Sequence, residues 1–215
     1  MFSKIFPKIH AEGYKFLVIA IIITIIFYIF SDFLGLIGLV LSVWVYYFFR
    51  DPERVVINDD NFLVSPADGE VIKVEDVTGP KELGLENKNF KKISIFMNVF
   101  DCHVNRTPCT GKIEEIFYKP GKFLNASFDK ASEENERNYY KIKDLHNNDI
   151  VVVQIAGLVA RRIVCESNKD QELNQGDRIG MIRFGSRADI YYENYQPLVK
   201  VGQKAISGET LLAKK

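Results

Sequence analysis

Three short stretches of this 215-residue chain hold residue types that can do chemistry together: SPADG at 65–69, DCHVNRTP at 101–108 and RFGSR at 183–187. Asp68, His103 and Ser186, one on each, are the ingredients of a base-activated hydroxyl. The carboxylate orients the imidazole, and the imidazole takes the hydroxyl proton. Gly185 immediately before Ser186 adds something different. Without a Cβ, glycine lets the chain bend until the serine Oγ reaches the preceding carbonyl carbon, which makes the protein's own peptide bond a target. Each stretch taken singly has a plain explanation: a proline turn, a strand-end histidine bonded to backbone, a Gly-Ser bulge between strands. Their coincidence in one chain is what points to catalysis.

Other chemistries have less support. His10, His103 and His146 are widely separated, and Cys102, Cys109 and Cys165 form no C-x-x-C pair. That argues against a metal site and against a disulfide framework, and it suits a reducing compartment. Lysine plus arginine, 28 residues, balance 28 acidic residues, so charge gives no reason to expect nucleic acid.

The elements that must position these residues fall into two parts. Residues 16–30 read FLVIAIIITIIFYIF; Ser31-Asp32 interrupt, and FLGLIGLVLSVWVYYFF follows at 33–49. Each run falls slightly short of the ~20 residues that cross a typical bilayer core. Together they predict a helical hairpin that enters the membrane and returns. Lys4, Lys8 and Lys15 precede it and Arg50 and Arg54 follow it, which puts both ends on the cytoplasmic side, with Trp44, Tyr46 and Tyr47 as an aromatic belt. A cleaved signal peptide would be shorter and single, and a buried core hairpin would leave no polar face for solvent. Residues 1–50 are therefore expected to form a membrane-anchoring hairpin and 51–215 the catalytic body. In that body, Val-, Ile- and Phe-rich runs at 70–77, 92–100, 112–119, 149–157, 161–165, 177–185 and 188–193 alternate with Gly, Pro, Asn and Asp clusters. This pattern predicts a mainly β barrel or sandwich. The polar tract at 129–138 reads as a loop or a short exposed helix.

The ordered blocks FFRDP (48–52), SPADG (65–69), IFMNVFDCHVNRTPCTG (95–111), YKPGKFLNASFDKASEENERN (118–138), QIAGLVARRIV (154–164) and RFGSRADIY (183–191) resemble the phosphatidylserine decarboxylase family, in its compact branch. The resemblance implies an inactive precursor in which Ser186 attacks the Gly185 carbonyl. The resulting ester is eliminated, and Ser186 becomes a covalent pyruvate. Residues 1–185 would be the β chain and 186–215 the α chain of a heterodimer, with a higher homo-oligomer left open. The pyruvoyl ketone would form a Schiff base with the amine of phosphatidylserine, releasing carbon dioxide and phosphatidylethanolamine at the cytoplasmic face of the cell membrane. His103 is the implied base and later the proton donor, and Asp68 its orienting partner.

Arg187, Arg162, Arg106 and Lys122 are of the type that binds phosphate and carboxylate, although each reads equally well as a surface charge. The stretch at 120–126 is a further candidate border of the pocket. Two departures from longer relatives stand out: F-G-S-R replaces L-G-S-T, and Arg106 stands where they have a second histidine. The rival readings are a pyruvoyl enzyme acting on a free amino acid, and a biotinyl- or lipoyl-carrier domain. The carrier reading uses 199–213 as a strand pair and Asp129-Lys130-Ala131 as the modified tip.

Overall fold

The computed structural model describes residues 7–123, 134–157, 162–183 and 186–215. Gly185, residues 124–126 of the stretch at 120–126, and the Asp129-Lys130-Ala131 triplet lie outside them. The chain divides into two compact units, Met1–Glu53 and Arg54–Lys215.

The first unit runs β1 (Lys8–Ile9), a 3-10 turn at Ala11–Gly13, α1 (Tyr14–Phe30), α2 (Asp32–Phe48) and β2 (Arg50–Asp51). Ser31 makes the break between the helices. Its amide donates to Phe27 O, ending α1, and its Oγ accepts from Phe33 N at 3.3 Å, capping α2 with Asp32 in the first turn. The helices meet along small residues: α2 buries Gly35, Gly38, Ser42 and Phe48, whereas α1 buries nothing. A Cβ on Gly38 would sit 2.9 Å from Thr24 Cα. Thr24 Oγ1 donates to Ala20 O at 2.8 Å, so Ser42 must be the donor in the 2.9 Å Thr24–Ser42 pair. Antiparallel pairing of β1 with β2, and a 2.8 Å bond from Tyr46 OH to Pro7 O, close the base of the hairpin. The helix spanning Ala11–Phe30 is long and apolar enough to cross a membrane. An apolar helix that buries none of its own residues is not a core helix; it calls for apolar surroundings, consistent with membrane association.

The second unit is mainly β, as the alternating runs predict. Its strands are β3 (Phe62–Val64), β4 (Gly69–Thr78), β5 (Asn89–Met97), β6 (Val104–Arg106), β7 (Gly111–Lys119), β8 (Arg137–Asp144), β9 (Asp149–Ala156) and β10 (Ile163–Cys165), followed by β11 (Glu172–Leu173), β12 (Arg178–Ile182), β13 (Ser186–Tyr192), β14 (Gln196–Pro197), β15 (Lys204–Ala205) and β16 (Leu211–Lys214). Eight form one antiparallel sheet, ordered β11-β7-β8-β9-β13-β5-β4-β15 and curled into a half-barrel. Two three-stranded sheets, β10-β12-β6 and β14-β16-β3, complete the unit.

The polar tract at 129–138 is in part a correction. Its described C-terminal end is not an exposed loop: Asn135, Glu136, Arg137 and Asn138 are buried, and Arg137 starts β8. Strand β8 hides its pattern because charged side chains (Arg137, Lys141, Lys143) alternate with Asn138, Tyr140 and Ile142, so hydropathy alone reads it as polar.

Alternation along β13 sorts its side chains. Ala188, Ile190 and Tyr192 enter the main core with Met97 of β5 and Ala156 of β9. Tyr191 packs on the opposite face, against a second cluster that includes Tyr139, Val153 and Ile155. Each fully buried isoleucine in the main core contributes about 1.5–3 kcal/mol. A one-residue slip would reverse the faces, so burial fixes the register that puts Ser186 on the main-core side.

Candidate active site

Ser186 opens β13 in the middle of the eight-stranded sheet, opposite Met97 on one side and Ala156 on the other. It is fully buried, and its hydroxyl donates to Met97 Sδ at 3.8 Å. A thioether is a weak acceptor, so the proton is loosely held.

His103 precedes β6 and is also fully buried. Its Nδ1 lies 2.9 Å from the Asp101 carbonyl oxygen. A carbonyl can only accept, so Nδ1 carries a proton and, in the neutral ring, Nε2 the lone pair, the tautomer a general base needs. The His103 carbonyl accepts from Ile182 N at 3.2 Å. Ile182 ends β12 four residues before Ser186, so the backbone of His103 is bonded to the strand that leads to the junction.

The SPADG bend joins them from a third direction. Pro66 O accepts from Arg106 N at 3.0 Å and from Asn105 Nδ2 at 3.3 Å, which ties the bend to β6. Gly69 adopts φ +148°, and a Cβ there would collide with Phe96 O, so only glycine can turn the bend into β4 this close to β5. In register, Glu70 faces Phe96, and Phe96 faces Arg187. The start of β4 is thus level with Met97 and Ser186.

Asp68, however, is not paired with His103. Arg54 Nη2 donates to its two carboxylate oxygens at 2.8 and 2.7 Å, and Ser207 N donates to Oδ1 at 2.8 Å. Among the described residues its carboxylate makes no bond to the imidazole. Asp68 and Ser186 lie at one end of the eight-stranded sheet, and His103 precedes β6 of a three-stranded one; the histidine is oriented by a backbone carbonyl and the aspartate by an arginine. Arg54 draws attention in the sequence only as a charge flanking the hairpin; nothing there ties it to Asp68.

Comparison with known proteins fits this arrangement. A family model described as phosphatidylserine decarboxylase matches residues 41–213. A phosphatidylserine decarboxylase proenzyme of Pelagibacter ubique is 78% identical over 215 residues, covering 100% of both chains. Proenzymes of the same name from Ruegeria pomeroyi and Cereibacter sphaeroides are 53% and 50% identical, covering 95% and 99% of this chain and 94% and 92% of theirs. The chain belongs to the phosphatidylserine decarboxylase family.

Family membership leaves no room for the carrier-domain reading. Of the four basic residues put forward as decarboxylase substrate ligands, two are committed elsewhere. Arg187 is fully buried: Nε and Nη2 donate to the two Asp189 oxygens at 2.6 and 2.8 Å, and Nη2 donates to Ser94 Oγ at 2.9 Å. Being next to Ser186 on a strand, it projects from the opposite face. Arg106 is buried and donates to Gly176 O at 2.8 Å. Lys122 is exposed and pairs with Glu134 at 3.0 Å. Arg162 is exposed, and its carbonyl accepts from Arg183 N at 3.2 Å, beside the junction. Phe123, from the stretch at 120–126, packs against the main core.

Sequence reasoning also misses a buried polar set behind the serine. Gln154 Nε2 donates to Asn105 Oδ1 at 2.9 Å. Gln154 Oε1 lies 3.0 Å from Tyr140 OH and accepts from Asn138 Nδ2 at 3.3 Å. A signal exists in the polar residues inside apolar runs, Gln154 within IVVVQIA and Asn105 two positions after His103, but it does not say that they meet.

Proposed function

We propose that this chain is the precursor of a phosphatidylserine decarboxylase that cuts itself between Gly185 and Ser186. What supports the reading is a buried serine hydroxyl resting on a weak acceptor at the start of β13, and a buried histidine, protonated on Nδ1, whose carbonyl is bonded to Ile182 four residues before that serine.

The self-cleavage is a sequence of balanced steps. Nε2 takes the Ser186 proton, Oγ bonds to the residue 185 carbonyl carbon, and that carbon's bond to nitrogen breaks as the nitrogen accepts the proton. The peptide becomes an ester. Loss of the residue 186 α-proton then breaks the Cβ–O bond and frees the residue 185 carboxylate. The dehydroalanine left behind takes up water and releases ammonia, giving pyruvate. The surroundings of Ser186 fit that product: its side chain is buried, and the thioether beside it does not depend on a hydroxyl donor. When present, the pyruvoyl ketone supplies an electron sink for the carbanion left by carbon dioxide. His103 then returns a proton to the substrate Cα, and Asp68, held by Arg54, lends a fixed negative charge to the site. Arg162, exposed beside the junction, is the basic group best placed to meet an anionic headgroup.

The hairpin anchors the protein to the cell membrane. Lys8, Lys15 and Arg50 at its base put the catalytic unit on the cytoplasmic side. After cleavage the 1–185 and 186–215 chains stay together as a heterodimer, because β13 is laddered on both edges.

Intact-mass spectrometry tests the proposal. Wild type should give a 1–185 fragment and a 186–215 fragment lighter than its serine-headed form by one ammonia. Ser186→Ala should stay whole and release no carbon dioxide from phosphatidylserine micelles. His103→Ala should cut itself slowly and lose at least about 10²-fold in decarboxylation. Cleavage of Ser186→Ala at the same bond, or equal turnover of free serine and phosphatidylserine by wild type, would remove the reading.

A further inference from the structure

Asn105 is a fully buried amide that the reaction as drawn leaves idle. Its orientation is set. Pro66 O can only accept, so Nδ2 faces it while Oδ1 accepts from Gln154 Nε2 at 2.9 Å, and the two Nδ2 hydrogens face the SPADG bend and Met97. Neither contact is a strong hydrogen bond: the carbonyl is far off and already accepts from Arg106 N, and the thioether is a weak acceptor. Pro66 O is at 3.3 Å and Met97 Sδ at 3.7 Å, and the sulfur is the atom on which the Ser186 hydroxyl also rests, at 3.8 Å.

Two strong donors, a hydroxyl and an amide, thus converge on one weak acceptor in the buried core. A buried N–H on a poor acceptor gains little in the ground state and much when full negative charge appears next to it. Such charge develops two bonds away from Ser186 Oγ, on the carbonyl oxygen of the peptide under attack. We infer that Asn105 is a catalytic residue of self-cleavage, donating Nδ2–H to that oxyanion, with Gln154 as the residue that positions it. The inference rests on the self-cleaving reading above and deepens it by supplying the oxyanion donor. Asn138 on β8 donates to the Gln154 oxygen at 3.3 Å, and Tyr140 OH, held to Ile179 O at 2.8 Å, lies 3.0 Å from that oxygen, so Gln154 is held on both sides and the donor needs little reorganisation when the charge forms. The bond changes are those already given; Asn105 gains and loses no proton.

The test is the rate at which newly made precursor converts to two chains, followed by intact mass in the full-length protein. Asn105→Ala should slow conversion by about 10²-fold, as removal of one oxyanion donor does. Asn105→Ser leaves nearly the same hole but keeps a donor, so it should recover part of the rate while melting at the same temperature as Asn105→Ala. Asn105→Asp, the same shape with donors replaced by charge, should be slower than Asn105→Ala. Melting is compared in the uncleavable Ser186→Ala background, so that processing does not confuse it. Wild-type conversion in Asn105→Ala overturns the inference. So does Asn105→Asp matching or beating Asn105→Ala, or Asn105→Ser converting no faster than Asn105→Ala. If wild type itself stays whole, or Ser186→Ala converts, the self-cleaving reading fails instead.

Discussion

One guanidinium nitrogen of Arg54 donates to both oxygens of Asp68, in a pair whose side chains are only 12% and 14% exposed. The bond ties the first residue of the β unit to the SPADG bend. It also explains why that bend needs no histidine to hold its carboxylate. Arg54→Ala should lower unfolding free energy by about 1.5–3 kcal/mol, the range for hydrogen bonds to charged groups. Asp68→Ala should cost a similar amount, and the double variant much less than the sum. Urea unfolding of the four proteins measures that coupling.

Arg187 and Asp189 provide a sharper case. Both are essentially without solvent contact, and removing one leaves a buried charge alone. Arg187→Ala should therefore destabilise by about 3–5 kcal/mol, whereas replacing both residues with leucine should cost far less. A substrate-binding Arg187 would behave differently: the double variant would fold well but show a raised KM. An unchanged KM in the double variant assigns the arginine to folding.

Asp149 supplies a pH handle. Burial by itself would raise its carboxyl, but hydrogen bonds from Lys143 and Lys88 and the charge of Lys141 outweigh that and hold it below the usual 3.8. A depressed carboxylate stabilises the fold fully above its unfolded value, and that stability is lost as pH falls through the lower folded value. Wild type should keep its urea midpoint from pH 7 to about 5 and lose part of it below about 4. Asp149→Asn should be weaker at pH 7 and show a shallower loss in acid.

In the hairpin, the 2.9 Å contact between the Thr24 and Ser42 hydroxyls places their Cβ atoms close together. Thr24→Cys with Ser42→Cys should form a disulfide on mild oxidation in membranes, seen by peptide mapping. Adding Gly38→Leu, which forces bulk against Thr24, should abolish that crosslink.

Much of this was legible from residue order. The hairpin follows from two charge-free runs and a Ser-Asp break. Most strands follow from β-branched runs between turn residues, and the candidate site was marked out by three motifs whose residue types complement one another. Pairings between distant side chains were not legible. Arg54 finds Asp68, and Arg187 turns away from the serine beside it, because strand alternation and register decide direction. Strand β8 escaped for a related reason: it sits between β7 and β9 with lysines on one face, so its membership is dictated by neighbours rather than by its own hydropathy.

The place of β13 has a consequence for the life of the molecule. If the chain is severed ahead of Ser186, everything from β13 to β16 belongs to the shorter piece, yet those strands are stitched into two of the three sheets of the second unit. The nick should scarcely be felt while the protein stays folded. Once unfolded, the two pieces must find each other by diffusion, so recovery would depend on concentration where the uncut parent's does not. Maturation would then work as a ratchet: the precursor can fold again after an accident, and the finished enzyme gives up that second chance.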